Sequence, residues 1–475
     1  MADSNEQQRS RVSRRKVLGV GSAFAAGLVL AACSSSKSAS PAASTTTTPA
    51  STDPKDIAAA AYTFGYPLVL MDVTRQAAGP ANEFAHALGL PTPTEKSVVR
   101  LNLDTLYSQA WLDLRAEPLV LQVPGMDGGR YWLMQLMDVW TNTRHNPSSV
   151  HPQTGGGAPY TYLVTGPGWS GTVPDGMTRL DMPTGTAWLL GRVQVNGAQD
   201  EPAVRALQQR LQLVPLSAWQ RGERTAPSRP YTPDPAAVPP PKQVAGMDGT
   251  TFFNRMCALM AANPPASEDA PALARFATIG VKPGATVDNS NADALNGAAA
   301  RAKSGAVGFN LPGSTNENGW SFNTKIGSYG TDYALRAVTA AVGLGANLPE
   351  DAIYPSVNGK ADDNGTPIRY RLHFPAGQLP PVDAFWSLTV YDADSYLVPN
   401  AADIDSVGHL VPVVKNADGS VDLAVQSADP GNSVPQGNWL PIPATGTFSL
   451  SMRLYAPQQQ ALNGDWKPPA LTKQG

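Results

Sequence analysis

The stretch Thr447-Phe448-Ser449-Leu450-Ser451-Met452-Arg453-Leu454-Tyr455 has the clearest strand pattern in the chain. Successive side chains of a β-strand point to opposite faces, so Phe448, Leu450, Met452 and Leu454 share one apolar face. We expect this face to lie in a core, and the opposite face to be wet or to line a site. The C-terminal third of the chain is therefore predicted to contain a β-sheet.

A second stretch in this third, Phe385–Asp392, alternates in the same way, with apolar residues on one face and Ser387 and Thr389 on the other. Turn sequences at Asp363-Asn364-Gly365 and Asp418-Gly419 lie nearby. Asp-Gly and Asn-Gly pairs favour tight hairpins between neighbouring strands. These patterns predict antiparallel strands, and a β-sandwich is the simplest architecture that buries their apolar faces.

Four earlier segments also have the composition of strands: Pro118–Val123, Arg130–Trp140, Tyr160–Thr165 and Ala187–Val195. Both alternating faces of Arg130–Trp140 are largely apolar, which predicts a central strand covered on two sides. The fold class that we predict is mainly β with helical additions (α+β), built from two antiparallel β-sandwiches.

Helical patterns occur before, between and within the β segments. Asp53-Pro54 is typical of a helix start, and we expect Gly65 and Pro67 to kink or end that helix. Further helices are predicted at about 200–211, 248–262, 267–278 and 329–347. The middle of the chain is therefore expected to form a helical bridge between two β regions.

Composition agrees with a loop-rich β protein. The chain contains 43 Gly and 44 Pro, and only 15% of its residues are charged, which favours short strands and turns over long surface helices. Its net charge is −3, and it becomes −6 without residues 1–32. An acidic chain is an improbable partner for nucleic acid, so we expect no nucleic-acid binding.

The N-terminus resembles a bacterial export signal. Arg14-Arg15 precede the apolar run Val17–Ala32, which is typical of a twin-arginine signal and too short for a permanent membrane span. Leu30-Ala31-Ala32-Cys33 resembles a lipobox, in which Cys33 accepts a lipid. We expect a protein anchored to the outer face of the cell membrane through Cys33. The alternative is an ordinary secretory signal with an incidental cysteine.

Residues 34–54 are rich in Ser, Thr, Ala and Pro, which predicts a disordered tether. Lipidation of Cys33 leaves Cys257 as the only other cysteine, so no internal disulfide is expected. Cys257 lies in an apolar helical stretch and is predicted to be a buried thiol without a chemical role.

Several motifs together resemble a known family. Ala61–Val69, Asn102–Ser108 and Gly129–Trp132 are similar to the domain of unknown function 1254. Phe385–Asp392, Asn438–Pro443, Arg453–Pro457 and Trp466–Pro469 look like its usual partner, domain 1214. Leu101 replaces the proline that usually precedes Asn102 in the family. The resemblance implies two jelly-roll-like sandwiches, and it implies no reaction.

The predicted organisation has five parts. They are a signal peptide with lipobox at 1–33, the tether at 34–54, an N-terminal sandwich at 55–198, a helical bridge at 199–325 and a C-terminal sandwich at 326–475. The sequence is also compatible with a homo-oligomer.

The common catalytic motifs are missing: the sequence contains no Gly-x-Ser-x-Gly elbow, His-Glu-x-x-His helix or phosphate-binding loop with Lys. We predict no cofactor. His145 and His151 are six residues apart on a polar loop and are at most weak candidates for metal ligands.

Carboxylates are the better candidates for chemistry. Asp104, Asp138 and Asp392 each lie in an aromatic-rich motif, where burial favours acid–base work of the kind that two carboxylates perform in glycoside cleavage. The competing interpretation is structural, with the same carboxylates pairing to arginines or backbone N–H groups. The available arginines are Arg130, Arg192 and Arg453.

Our leading hypothesis is a tethered hydrolase-like or glycan-binding protein that acts on an envelope glycan or a small ester or amide. The predicted catalytic residues are Asp104, Asp138, Tyr107 and Arg130, and the predicted binding residues are Asn102, Trp140, Asp392 and Trp439. The large aromatic residues are candidates for sugar stacking or for core packing. The rival hypothesis is a structural or interaction lipoprotein. If Asp104 and Asp138 lie together in an open cleft, the hydrolase hypothesis is favoured. If both carboxylates are fully buried, the structural hypothesis is favoured.

Overall fold

A computed structural model describes residues 51–474 of the chain, apart from residues 96–98, 233, 235–236 and 304–312. The predicted export signal, the lipidation site Cys33 and the tether up to residue 50 lie outside the described residues.

The N-terminal strands form two sheets. Their bounds are β1 Phe84–His86, β2 Thr105–Asp113, β3 Leu119–Val123, β4 Trp132–Asp138, β5 Thr143–His145, β6 Tyr160–Thr165, β7 Thr178–Asp181, β8 Thr186–Gln194, β9 Gln212–Pro215 and β10 Ser228–Pro230. One sheet has the order β10-β1-β2-β8-β4-β5 and the other the order β7-β6-β3-β9. The β1–β10 and β6–β7 pairs are parallel, and the other pairs are antiparallel.

The two N-terminal sheets enclose a core because alternate apolar side chains point between them. Leu106 and Leu112 of β2 belong to the same buried cluster as Leu121 of β3 and Tyr162 of β6. All seven residues of β4 are buried, which confirms the predicted central strand covered on both faces. Its inner face belongs to this core, and its outer face is covered by other parts of the chain.

The described helices are α1 Pro54–Ala77, α2 Glu201–Gln208, α3 Leu216–Gln220, α4 Pro240–Gly246, α5 Gly249–Ala262, α6 Ala270–Ala277, α7 Ala292–Lys303, α8 Tyr333–Gly343 and α9 Gln459–Leu462. The predicted break at Gly65 and Pro67 is wrong, because α1 continues through both residues. An internal proline costs a helix about 3 kcal/mol, which the burial of α1 against its neighbours offsets. Gly65 permits the closest of these contacts, since a Cβ atom there would lie 2.3 Å from Met256 Sδ.

A helical cluster surrounds α1. Its apolar core joins α1 to α4–α8, and Tyr62 stacks on Phe252 with ring centroids 4.0 Å apart. Among the described helices, α1 alone has the length and hydropathy of a membrane span, and 67% of that segment is buried inside the protein. Cys257 is buried in this cluster, as predicted, and burial raises the pKa of its thiol.

The helical cluster does not coincide with residues 199–325, which we expected to form the bridge. α1 and α8 come from outside that range and complete the cluster. Within the range, β9 and β10 pair with N-terminal strands, while two further strands join the C-terminal sheets. The middle helices thus pack their apolar stripes on α1 and α8.

The C-terminal strands form two large sheets and one small hairpin. Their bounds are β11 Thr315–Glu317, β12 Trp320–Phe322, β13 Ala352–Ile353, β14 Ser356–Lys360, β15 Asp362–Asp363, β16 Thr366–Pro367, β17 Arg369–Phe374, β18 Val382–Asp392, β19 Ser406–Gly408, β20 Val421–Val425, β21 Trp439–Leu440, β22 Thr447–Pro457 and β23 Leu471–Gln474. The larger sheet has the order β11-β12-β14-β22-β18-β19, with β13 also on β22. The other has the order β21-β20-β17-β23, and β15–β16 form the hairpin predicted at Asn364-Gly365.

The long strand β22 confirms the predicted alternation. Phe448 and Leu450 are in the same core cluster as Leu372 and Phe374 of the facing sheet. The other face of β22, which includes Arg453, is also buried, because the N-terminal region covers it. The protein is therefore mainly β with helices, and its β regions meet along the second face of β22. The finer jelly-roll topology stays a prediction.

Candidate functional site

A cluster of polar side chains lies where the two β regions meet, and we call it the junction cluster. Its members are Asn102, Asp104, Tyr107, Arg192, Tyr354, Arg453 and Tyr455. The first three come from the start of β2, Arg192 from β8, Tyr354 from the loop after β13, and the last two from β22. Three of the predicted site residues, Asn102, Asp104 and Tyr107, are therefore close together.

Asn102 shapes the turn into β2. Its Oδ1 accepts the backbone N–H groups of Asp104 at 2.7 Å and Thr105 at 3.3 Å, which is an Asx-type turn. Its Nδ2 donates to the hydroxyls of Tyr107 at 3.1 Å and Tyr455 at 2.9 Å. The turn is thus held by the side chain of Asn102.

Asp104 connects the two β regions. Its side chain is fully buried, and Oδ2 accepts hydrogen bonds from Ser387 Oγ at 2.8 Å and Tyr455 OH at 3.3 Å. Oδ1 faces His409 Nδ1 at 3.3 Å, while His409 Nε2 lies 3.2 Å from the carbonyl oxygen of Val195. All three side-chain partners of Asp104 belong to the C-terminal region, so this carboxylate acts across the junction.

Arg453 is a buried cation with many acceptors. Its guanidinium donates to Thr389 Oγ1 at 2.9 Å, to the carbonyl oxygens of Arg100 and Leu101 at 3.3 Å each, and to the Tyr391 hydroxyl. Burial alone lowers the pKa of this guanidinium, but Tyr391 and the carboxylate of Asp104 raise it well above its ordinary value. The guanidinium of Arg453 therefore has several acceptors within the protein, which is typical of an arginine with a structural role.

Arg192 is equally deep but has fewer partners. Its side chain donates to Gln135 Oε1 at 2.6 Å and to the carbonyl oxygen of Gly345 at 3.0 Å, and it lies 5.4 Å from the ring centre of Tyr107. Within the described part of the chain, no Asp or Glu forms an ion pair with it. Burial alone lowers the pKa of the Arg192 guanidinium, whereas the hydroxyls of Tyr107 and Tyr354 raise it overall.

Three polar residues of the junction cluster are partly exposed beside Arg192, and we call the place where they meet the junction cleft. Asn102, Tyr107 and Tyr354 are only half-buried there, whereas Arg192 is 5% exposed and Asn347 is 1% exposed. Asn347 Nδ2 donates to the Tyr354 hydroxyl at 2.9 Å, and its Oδ1 is buried without a partner. Burial raises the pKa of Tyr354 to about 12, so its hydroxyl keeps its proton at neutral pH. The cleft therefore offers neutral hydroxyls and a cation.

Asp138 lies elsewhere and builds a turn. Its carboxylate is fully buried and accepts hydrogen bonds from the backbone N–H groups of Trp140 at 2.9 Å and Asn142 at 3.0 Å. It also accepts a hydrogen bond from Arg144 Nε at 2.6 Å. Trp140 belongs to the helical cluster, where its ring lies 5.2 Å from the buried guanidinium of Arg336. Neither residue shares a contact with Asp104.

The other predicted residues are also dispersed. Arg130 pairs with Asp200 at 2.5 Å, outside the junction cluster. Asp392 accepts the backbone N–H groups of Asp394 at 3.0 Å and Tyr396 at 2.9 Å in the turn after β18. Trp439 Nε1 donates to the carbonyl oxygen of Gln426 at 2.9 Å in the outer C-terminal sheet. These contacts are those of turns, ion pairs and sheet edges.

The two histidine candidates have separate hydrogen-bond partners. His145 Nε2 lies 2.9 Å from the carbonyl oxygen of Asp181, in a surface groove that Trp169 and Arg179 also line. His151 is exposed, and its backbone N–H donates to Ser148 Oγ at 3.0 Å. Among the described residues, no group of three or more His, Cys, Asp and Glu side chains is arranged to hold a metal ion.

Four of the seven members of the junction cluster were not predicted as site residues, and neither was Asn347 beside the cleft. Tyr354 and Asn347 lie in loops without a motif, and Arg192 was considered only as a pairing partner. One signal was present, since Arg192 is the single charged residue in the otherwise apolar strand β8. A charge in a central strand needs a partner or a function, because burying it alone is costly.

Comparisons with known proteins agree with the motifs. The model of "Protein of unknown function (DUF1254)" matches residues 81–215, and that of "Protein of unknown function (DUF1214)" matches residues 351–459. No curated protein matches the chain significantly.

Two solved structures are similar. The VPA0106 protein from Vibrio parahaemolyticus is 22% identical, with a TM-score of 0.64 over 89% of this chain and 100% of its own. An uncharacterised protein from Burkholderia cenocepacia is 15% identical, with a TM-score of 0.42 over 87% of this chain and 88% of its own. The first likeness shows a shared fold. The chain therefore contains a DUF1254 domain followed by a DUF1214 domain.

Proposed function

We propose that the protein is an exported, lipid-anchored envelope protein that binds a small polar molecule in the junction cleft and does not hydrolyse it. The observation that carries this proposal is that Asn102, Tyr107 and Tyr354 are partly exposed while Asp104, Arg192, Arg453 and Tyr455 around them are buried. Ligand sites occur preferentially at such boundaries between domains, where a few polar groups converge.

Binding is favoured over hydrolysis by the positions of the two carboxylates. Cleavage by a carboxylate pair needs both groups beside the same scissile bond, within about 5–10 Å of one another. Asp104 and Asp138 are both fully buried, and each is hydrogen-bonded by a different set of protein groups. Neither carboxylate is available to a substrate in this arrangement, which supports a structural role for both.

The proposed location rests on the N-terminal sequence. Arg14-Arg15 and the lipobox ending in Cys33 support twin-arginine export and acylation, and the following tether would hold the folded body near the membrane surface. Mass spectrometry of the protein isolated from its bacterium tests this directly. Acylated Cys33 as the first residue is the expected result, and an intact chain with an unmodified Cys33 contradicts it.

A second candidate is a scaffold or interaction lipoprotein without a small ligand. The observation that favours it is the interaction of Asp104 with Ser387, Tyr455 and His409, which connects the two β regions and needs no ligand to do so. The two proposed functions differ in whether the junction cleft binds a small molecule.

A thermal-shift screen separates these candidates. The purified protein would be heated with sugars, sugar acids, amino acids, and small esters and amides, and each mixture would be examined for products. A ligand at 100 times its Kd adds about 2.7 kcal/mol to stability, so a rise in Tm of several degrees is expected for a true ligand. The rise should occur without product, and it should shrink in Tyr107→Phe.

Tyr160→Phe is the matched control, because Tyr160 is a half-buried tyrosine that packs on Trp132 away from the cleft. Ligand shifts should persist in this variant. Product formation that is lost in Asp104→Asn would favour the hydrolase hypothesis instead. A screen without any shift would favour the scaffold.

A further inference from the structure

The hydroxyl groups at the junction cleft have hydrogens to spare. Tyr107 OH accepts a hydrogen bond from Asn102 Nδ2, and Tyr354 OH accepts one from Asn347 Nδ2. Each hydroxyl also carries one hydrogen to donate. In the described part of the chain, neither hydroxyl donates to a protein acceptor. Two donors are therefore left beside Arg192.

The two junction arginines differ in how they are satisfied. Arg453 donates to two carbonyl oxygens and two hydroxyls, and the carboxylate of Asp104 is nearby. Arg192 donates to Gln135 and Gly345, and it also lies against Tyr107. A guanidinium has five N–H donors, so Arg192 retains capacity for an external acceptor. It also lacks an opposite charge in hydrogen-bond contact.

Asp351 interacts electrostatically with Arg192, but it does not form an ion pair with it. Asp351 influences both Arg192 and Tyr131, but it is bound by Asn146 Nδ2 at 3.0 Å. Burial raises the pKa of Asp351 to about 7, with Glu350 adding to the effect, so this carboxyl is partly neutral near pH 7. The guanidinium of Arg192 is therefore without an acidic group in hydrogen-bond contact among the described residues.

One acceptor beside the cleft also lacks a partner. Asn347 Oδ1 is buried and receives no hydrogen bond, although an unsatisfied buried acceptor costs about 1–3 kcal/mol. A ligand hydroxyl would satisfy it. The cleft thus presents donors for an anionic oxygen and an acceptor for a hydroxyl group.

We propose that the ligand of the junction cleft is a small hydroxylated carboxylic acid, such as a sugar acid. Its carboxylate accepts hydrogen bonds from Arg192, Tyr107 and Tyr354, and one of its hydroxyls donates to Asn347. This assignment rests on the proposed binding function and adds the chemical class of the ligand. Arg is suited to the role because its planar donors match the two oxygens of a carboxylate.

Titration calorimetry with acid and amide pairs tests the assignment. Glucuronate and glucuronamide, and lactate and lactamide, have nearly the same shapes and differ in charge. The full-length protein should bind at least one acid about 10- to 100-fold more tightly than its amide, since hydrogen bonds to charged groups are the stronger class. Tyr107→Phe and Tyr354→Phe should each weaken acid binding about 10-fold and amide binding by a smaller factor, because a hydrogen bond to a neutral carbonyl oxygen is weaker than one to a carboxylate.

The outcomes separate the ligand class from the function. Equal affinity for acid and amide overturns the carboxylate assignment and leaves the proposed binding function in place. Inorganic phosphate that binds more tightly than every acid also overturns it. Failure of all compounds in the earlier thermal screen contradicts the binding function itself. Arg192→Lys is informative if it folds, and the two Tyr→Phe variants and the ligand pairs decide the question if it does not.

Discussion

Replacing Asp104 by Asn tests whether the junction cluster holds the two β regions together. The substitution preserves the shape of the side chain and one acceptor oxygen, so the hydrogen bond from Ser387 Oγ at 2.8 Å can persist. It removes the negative charge that faces His409 Nδ1 at 3.3 Å and that stabilises the Arg453 guanidinium. The buried Arg453 guanidinium thereby loses a nearby anion.

The expected cost follows from the burial of this carboxylate. Removing one partner of a buried charge pair costs about 3–5 kcal/mol, because the other charge is left uncompensated. The retained hydrogen bond from Ser387 reduces the loss, so we expect about 3 kcal/mol, or roughly a 150-fold change in the unfolding equilibrium. Urea unfolding, followed by circular dichroism and fluorescence, would measure the difference.

Asp181→Asn is the matched control. Asp181 also pairs with an arginine, Arg179, but its side chain is 61% exposed and that of Arg179 is 37% exposed. Solvent screens such a pair, so this substitution should cost about 0–1 kcal/mol. If Asp104→Asn is no more destabilising than Asp181→Asn, the junction cluster does not hold the β regions together, and the reasoning is refuted.

Three further predictions concern packing and pH. Gly65→Ala should cost about 1–3 kcal/mol, because the new Cβ would lie 2.3 Å from Met256 Sδ; thermal unfolding would measure it. The pKa of Asp422 is lowered to about 2, since hydrogen bonds from Arg371 and its neighbours outweigh burial. The wild type should therefore have a higher free energy of unfolding than Asp422→Asn above pH ~4, and this difference should disappear as the pH falls toward 2. Burial raises the pKa of Asp351 to about 7, so the wild type should lose stability relative to Asp351→Asn as the pH rises from ~4 to ~7.

Each of these predictions has a clear contrary result. Unchanged stability of Gly65→Ala would mean that Met256 moves away at no cost. A constant stability difference between wild type and Asp422→Asn from pH 5 to pH 2 would contradict the lowered pKa. The same holds for Asp351→Asn if the difference does not change between pH 4 and pH 7.

The sequence predicted the strands best where burial is one-sided or complete. The alternation at Thr447–Tyr455 and the apolar run at Arg130–Trp140 correctly predicted β22 and β4. The reason is that successive side chains of a strand point to opposite faces, so the sequence pattern directly shows which faces are buried. The motifs also predicted the two family domains in the right order. The end of α1 was mispredicted, since a local penalty at Pro67 was smaller than the packing that surrounds the helix.

The candidate site was only partly accessible to sequence reasoning. Asn102, Asp104 and Tyr107 are neighbours in the chain, so their proximity follows from one motif. Asp138 also has aromatic neighbours in the sequence, but in the structure its carboxylate accepts a hydrogen bond from Arg144 in a turn. It lies far from Asp104 because the two residues are at opposite ends of the sheet. A motif shows that a residue is constrained, and it does not show which distant group provides the constraint.

The sequence by itself determined the faces of the clearest strands, the starts of α1 and α5 and the order of the two domains, because these depend on side chains close together along the chain. Only the tertiary structure decided that the polar face of β22 is covered rather than wet. That choice depends on groups about 350 residues apart, such as Asp104 and Tyr455, whose contact at 3.3 Å no local pattern encodes. The same holds for Arg192, Tyr107 and Tyr354, whose hydrogen bonds to Gln135, Asn102 and Asn347 became known only from the tertiary structure.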